Sequence, residues 1–137
     1  MIISFDVKYL EKLYSLGELL HSNYSNLYNE ESLNTGVNKV FMYILDNKLI
    51  GYIHIQDLIY EIDVIDIIVD PAYRNKGYAT CLLKYIFDYA KGKKIILEVN
   101  EDNKYALELY KKNNFREINR RKGYYSGKDA IIMEKKW

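Results

Sequence analysis

Residues 69–80, Val-Asp-Pro-Ala-Tyr-Arg-Asn-Lys-Gly-Tyr-Ala-Thr, join an apolar run to a helical pattern through a cationic turn that contains a glycine. The first turn of a helix presents backbone N–H groups with no intrahelical partner, and the aligned peptide dipoles add partial positive charge there. Gly77 lets the backbone approach a ligand closely and Ala79 keeps the helix start slim. Arg74 and Lys76 supply formal charge suited to a phosphate. The pattern is neither the dinucleotide fingerprint nor a P-loop, because no Gly-Lys-Ser/Thr follows. By itself it fits an anion-binding turn or an ordinary turn with solvated cations.

The elements that must hold this turn follow from periodicity. The apolar run before it, residues 59–69, carries Ile62, Val64, Ile65, Ile67, Ile68 and Val69 and reads as a strand buried on both faces, with Glu61, Asp63 and Asp66 spaced along it. After it, Ala79, Leu82, Leu83, Ile86, Phe87 and Ala90 recur at helical spacing over residues 77–90, with Gly92 as a stop. Residues 1–5 read as a strand, 7–20 as a helix with Asp6 as N-cap, and 30–33 as a short helix. Residues 40–45 and 49–55 form a hairpin about Asp46-Asn47-Lys48. A buried strand over 95–99, a helix over 103–112 and strands over 115–125 and 130–134 complete the order. The expectation is an α/β domain over residues 1–137: a mixed sheet of six to seven strands with about four helices on both faces.

Composition narrows the function classes. Lys plus Arg number 20 against 19 Asp plus Glu in 137 residues, which gives no electrostatic case for nucleic acid or a membrane surface. The single cysteine, Cys81, excludes an intramolecular disulfide and a cysteine-based metal cluster, and its place inside the helix over 77–90 predicts core packing. His21 and His54 read as structural or exposed residues, and no metal site is expected. The absence of a signal-like start or a long apolar span predicts a cytoplasmic protein.

Arg74-x-x-Gly77-x-Ala79 after an apolar strand and Asp-Pro resembles the acetyl-CoA motif of the GNAT acetyltransferase superfamily. The stretch Leu97-Glu98-Val99, then Asn103, Ala106, Leu109-Tyr110 and Asn114-Phe115, is similar to the pattern of its RimI-type branch. Arg120-Arg121, Tyr124-Tyr125 and residues 129–133 (Asp-Ala-Ile-Ile-Met) continue that resemblance in the same order. Asn114 replaces the family's usual glycine, and asparagine tolerates the left-handed conformation.

The resemblance implies transfer of acetyl from acetyl-CoA to a primary amine, with a protein N-terminus, such as that of a ribosomal protein, as the acceptor. It implies that backbone amides of Asn75, Lys76, Gly77, Tyr78, Ala79 and Thr80, with Arg74, hold the CoA pyrophosphate. The open backbone of Ile67, Ile68 and Val69 would pair with the pantetheine arm like an added strand, and Asn103 would contact CoA while capping its helix. Glu98 aligns with the family's general base, and its place at a strand end predicts partial burial. Tyr110 aligns with the general acid, since a phenol stays protonated at pH 7. Asp66 or Asp63 is the alternative base. Arg120, Arg121, Tyr124 and Tyr125 would border the acceptor groove, or simply make a cationic, aromatic strand. A small amine or a lysine side chain is the rival acceptor, and a non-catalytic acyl-CoA-binding module is the rival function.

Overall fold

The computed structural model describes residues 1–137, the side chain of Asn34 excepted. Seven strands form one mixed sheet: β1 (Ile2–Ser4), β2 (Asn38–Leu45), β3 (Lys48–Asp57), β4 (Glu61–Val69), β5 (Lys94–Asn100), β6 (Phe115–Tyr125) and β7 (Lys128–Lys135). Their spatial order is β1-β2-β3-β4-β5-β7-β6. Only β4 and β5 pair in parallel, joined by the long helix α4 (Tyr78–Ala90); every other neighbouring pair is antiparallel. Helices α1 (Leu10–Gly17), α2 (Tyr24–Leu27) and α3 (Glu30–Asn34) precede β2, and α5 (Lys104–Lys112) follows β5. Among the described residues no helix is long and apolar enough to cross a membrane.

Local chemistry explains the boundaries. Asp46 and Asn47 both take positive φ, 50° and 63°, so β2 and β3 meet at a two-residue turn of the kind that matches strand twist. Ser126 and Gly127 make the equivalent turn between β6 and β7 at 48° and 92°. Asn103 caps α5 by accepting from Ala106 N at 3.1 Å, and Asn114 takes φ 66° at the turn into β6, the conformation expected of it. The helix expected over 7–20 is shorter. Asp6 caps a single 3-10 turn, α1 ends at Gly17, and Leu19 and Leu20 lie exposed. β4 starts at Glu61, later than expected, because Ile59 and Tyr60 are exposed in the turn from β3. α2 was not legible in its polar sequence.

Two cores lie on opposite faces of the sheet. Under α4 and α5 pack Leu82, Leu83, Ile86, Ala106, Leu107 and Tyr110 against Ile62, Val64, Leu97 and Val99. Under α1–α3 pack Leu13, Leu16, Tyr24 and Leu33 against Met42, Tyr52 and Ile68. The expectation that Cys81 fills the first core is corrected: Cys81 is exposed. Leu82, Leu83 and Ile86 already form the apolar stripe of α4, and position 81 falls beside that stripe on the solvent side.

β4 contributes to both cores because of one extra residue. Ile55 pairs with Val64 and His54 with Asp66, which leaves Ile65 as a bulge. A one-residue slip turns every following side chain to the other face. Ile62 and Val64 therefore join the α4–α5 core, whereas Ile68 joins the α1–α3 core, and Asp66 faces α1. In that second core Tyr24 donates its hydroxyl to His54 Nδ1 at 3.2 Å, and His54 Nε2 donates to Asn38 Oδ1 at 2.8 Å.

Two measurements check this packing. A Cβ at Gly51 would sit 2.8 Å from the backbone oxygen of Ile68, so Gly51→Ala must push β3 from β4. It is expected to cost about 1–3 kcal/mol, read as a drop of several degrees in the thermal midpoint. Burial holds His54 neutral by lowering its pKa from 6.5 to about 4. The unfolded chain binds that proton first, so its contribution to stability is complete above pH 6.5 and is lost as pH falls towards 4. Denaturant melts of wild type and His54→Asn should converge over that window.

Candidate active site

β4 and β5 run side by side only from Glu61↔Lys94 to Val64↔Leu97. Beyond that point residues 66–69 keep their partners on β3, while Glu98, Val99 and Asn100 turn to β7. The two parallel strands therefore part, and the β5-facing edge of Ile67, Ile68 and Val69 lines a wedge that opens towards the C-terminal ends of both strands. Unpaired backbone groups on such an edge are a template for an added extended segment.

One mouth of the wedge is the cationic turn. Asp70 accepts from Ala72 N at 2.9 Å and from Lys12 Nζ at 2.7 Å, which fastens the turn to α1. Asn75 and Gly77 both take positive φ, 62° and 86°. Alternation of this kind points successive N–H groups into one concavity. The first helical bond of α4 runs from Cys81 N to Gly77 O at 3.1 Å, so the N–H groups of Tyr78, Ala79 and Thr80 come before it. Arg74 is exposed but partly committed: its Nε donates to Val69 O at 3.1 Å, clamping the end of β4. Lys76 lies over the Tyr73 ring at 5.8 Å. Polar donors, a helix N-terminus and an open strand edge thus line one continuous path, as an extended ligand with a diphosphate would require.

Glu98 follows the last β4–β5 pair, at the inner end of the wedge, and Tyr110 lies on α5. Arg121 Nε lies 3.1 Å from Glu98 Oε1. The Glu98 side chain is 31% exposed, the partial burial expected of it: Glu98 lies beyond the last β4 pair, on the face of β5 turned away from the α4–α5 core, with Arg121 beside it. Tyr110 is 7% exposed on α5, packed edge-on against Phe115. Burial first, and the negative charge of Asp66 second, raise its phenol above the ordinary value and keep it protonated. Asp63 lies further down β4, where desolvation and Glu61 beside it raise its carboxyl to about 7, away from the open end.

Two further segments lie beside Glu98 and Asp66. On β6, Arg121 stacks over Tyr124 at 5.2 Å, Tyr124 meets Tyr125 edge-on at 5.1 Å, and Tyr125 feels the charges of both Glu98 and Asp66. Arg120 turns away to Glu117 at 2.9 Å and Asp129 at 3.3 Å. On the other side, the segment between α1 and α2 places His21 Nε2 against Asp66 Oδ1 at 2.8 Å. The sequence carried no sign of this pair, because the Ile65 bulge alone turns Asp66 towards α1.

The model of the acetyltransferase (GNAT) family matches residues 6–115. The N-alpha-acetyltransferase RimI of Mycobacterium tuberculosis is 40% identical over 93 residues, 64% of this chain, and the match spans 59% of that enzyme's length. The crystal structure of the ribosomal-protein-S18-alanine N-acetyltransferase from Escherichia coli superposes with a TM-score of 0.82 at 26% identity, covering 98% of this chain and 92% of that one. A Bacillus anthracis acetyltransferase crystallised with acetyl coenzyme A superposes with a TM-score of 0.74 at 25% identity, covering 83% and 70%.

Gly77→Val is expected to force a β-branched residue into the left-handed region, with strain of about 1–3 kcal/mol, and to crowd the concavity. Calorimetric titration should show affinity for CoA reduced about tenfold or more; unchanged affinity would mean that this turn does not hold the diphosphate.

Proposed function

This chain belongs to the acetyltransferase (GNAT) family, and on that basis we propose that it transfers acetyl from acetyl-CoA to the N-terminal α-amine of a protein. A ribosomal protein is the favoured acceptor, by similarity to the RimI-type relatives. In this reading residues 1–137 act as one cytoplasmic acetyltransferase domain. The observation that carries it is the parting of β4 from β5 after Val64↔Leu97. That parting leaves an open strand edge running from the donor-rich turn at Gly77 to the carboxylate and phenol of Glu98 and Tyr110.

Acetyl-CoA supplies an acetyl group already activated as a thioester. Asn75, Lys76, Gly77, Tyr78, Ala79, Thr80 and Arg74 hold its diphosphate, Ile67, Ile68 and Val69 hold its pantetheine arm, and Asn103 adds a contact at the start of α5. Glu98 accepts a proton from the amine, directly or through a water, with Arg121 fixing one of its oxygens. Tyr110 donates a proton to the departing thiolate. Arg121, Tyr124 and Tyr125 flank the incoming chain. An α-amine, with a pKa of about 8 against about 10.4 for lysine, demands less of its base.

The test is CoA release by wild type, Glu98→Gln and Tyr110→Phe with short peptides, polyamines and Nα-blocked lysine peptides. Turnover of free N-terminal peptides is expected, reduced about 100-fold or more in each variant with CoA affinity retained. Turnover of polyamines or lysine alone would overturn the acceptor. Binding of acetyl-CoA without turnover of any amine would leave an acyl-CoA-binding module.

A further inference from the structure

The cations of β6 differ in how much of their charge is already spent. Arg120 is shared among Glu117, Asp129 and Glu101, at 2.9, 3.3 and 3.8 Å. Lys122 lies 3.4 Å from Asp129, and Arg116 lies 4.0 Å from Glu134. Arg121 has a single carboxylate partner among the described residues, Glu98, whose Oε1 lies 3.1 Å from its Nε. A guanidinium carries five N–H donors in a rigid fork, and one carboxylate engages only one edge of it. The outer edge of Arg121, on a side chain 55% exposed, is therefore open to a second carboxylate. The Tyr124 ring, 5.2 Å from the guanidinium, holds its plane, and Tyr125 braces Tyr124 edge-on.

Resting on the amine-acetylation reading above, we propose that Arg121 selects acceptors whose second residue is aspartate or glutamate, binding that carboxylate on the outer edge of its guanidinium while Glu98 receives the amine. The spacing fits. The guanidinium begins 3.1 Å beyond Glu98, and one residue of extended chain advances about 3.5 Å. A carboxylate on the first residue would stand against Glu98 itself, where like charges repel. A lysine or arginine at the second position would meet Arg121 in the same unfavourable way. The local charge favours the same class of acceptor: residues 116–122 carry four cations, Arg116, Arg120, Arg121 and Lys122, against one carboxylate, Glu117.

The ion pair also ties selection to the chemistry. An ionised Glu98 neutralises Arg121. Once Glu98 has taken the proton of the amine, the guanidinium has lost its counter-charge. A carboxylate brought by the acceptor replaces that charge at the moment it is lost, so its contact strengthens as the reaction proceeds. An interaction of this kind raises kcat as well as lowering KM. Tyr124 and Tyr125 add contact area without charge and do not distinguish an aspartate from an asparagine of the same shape.

The experiment measures kcat and KM for peptides that differ only at the second residue: Ala-Asp, Ala-Asn and Ala-Lys, each followed by one common neutral sequence. Wild type, Arg121→Gln and Arg121→Lys are compared through the ratio of Asp to Asn peptide within each enzyme, so that any loss from disturbing Glu98 cancels. Wild type is expected to prefer the Asp peptide by about tenfold in kcat/KM, the scale of one charge-assisted hydrogen bond, and to turn over the Lys peptide least. The ratio should fall to about one in Arg121→Gln and lie between in Arg121→Lys, which keeps the charge without the fork. A wild type without preference for the Asp peptide, or a preference that survives Arg121→Gln intact, overturns the proposal, while turnover itself preserves the reading beneath it. Should Arg121→Gln fail to fold, salt decides: the wild-type preference should shrink from about 0.1 M to about 1 M salt, and a constant ratio overturns the proposal. A wild type that acetylates no peptide overturns both.

Discussion

A bulge in a strand has nowhere to put its extra residue except by bending the chain, and Ile65 places that bend in the middle of the sheet. The parallel contact between β4 and β5 ends at Val64↔Leu97, the pair immediately before it. From there β4 stays with β3 and β5 goes with β7, so a sheet that is continuous at one end is split at the other. Hydrogen-bonding capacity left on β4 faces the gap. The same slip exchanges the faces of β4: Ile62 and Val64 point into one core and Ile68 into the other. Remove the extra residue, and Asp66 would turn into the α4–α5 core, where an unpaired carboxylate has no place.

The two cores hold the two sides of this wedge independently. Leu82, Leu83 and Ile86 seat α4, which fixes where its N-terminus and the Gly77 turn lie, while Ala106, Leu107 and Tyr110 seat α5 beside it. The phenol is thus placed by the same packing that places the Gly77 turn. On the opposite face, Leu13 and Leu16 anchor α1, Tyr24 anchors α2, and His21 is carried between them. Gly17 leaves the space that the Tyr24 ring takes, since a Cβ there would approach it to 2.6 Å.

Charge separates two carboxylates that the sequence presents as equivalents. Glu98 is partly exposed, with Arg121 beside it. Asp66 is buried, bound on one oxygen to His21 and without a partner on the other. Their environments differ because one lies past the split on an uncovered face and the other lies under the α1–α2 segment.

Much of this was legible in the residues themselves. Strand and helix order followed from periods of two and of about three and a half, and the turns from Asp46-Asn47, Asn114 and the Gly77 stretch after Asp-Pro. These are local signals, carried by neighbours in the chain. The solvent side of Cys81 and the early end of α1 were not legible, because each depends on which surface a second element happens to cover. Least legible was the contact of His21 with Asp66, forty-five positions apart. Sequence alone determined the elements and the chemistry available to them; only the tertiary structure, through one unpaired residue in β4 that reverses a strand's faces, decided which carboxylate is buried and where its free oxygen lies.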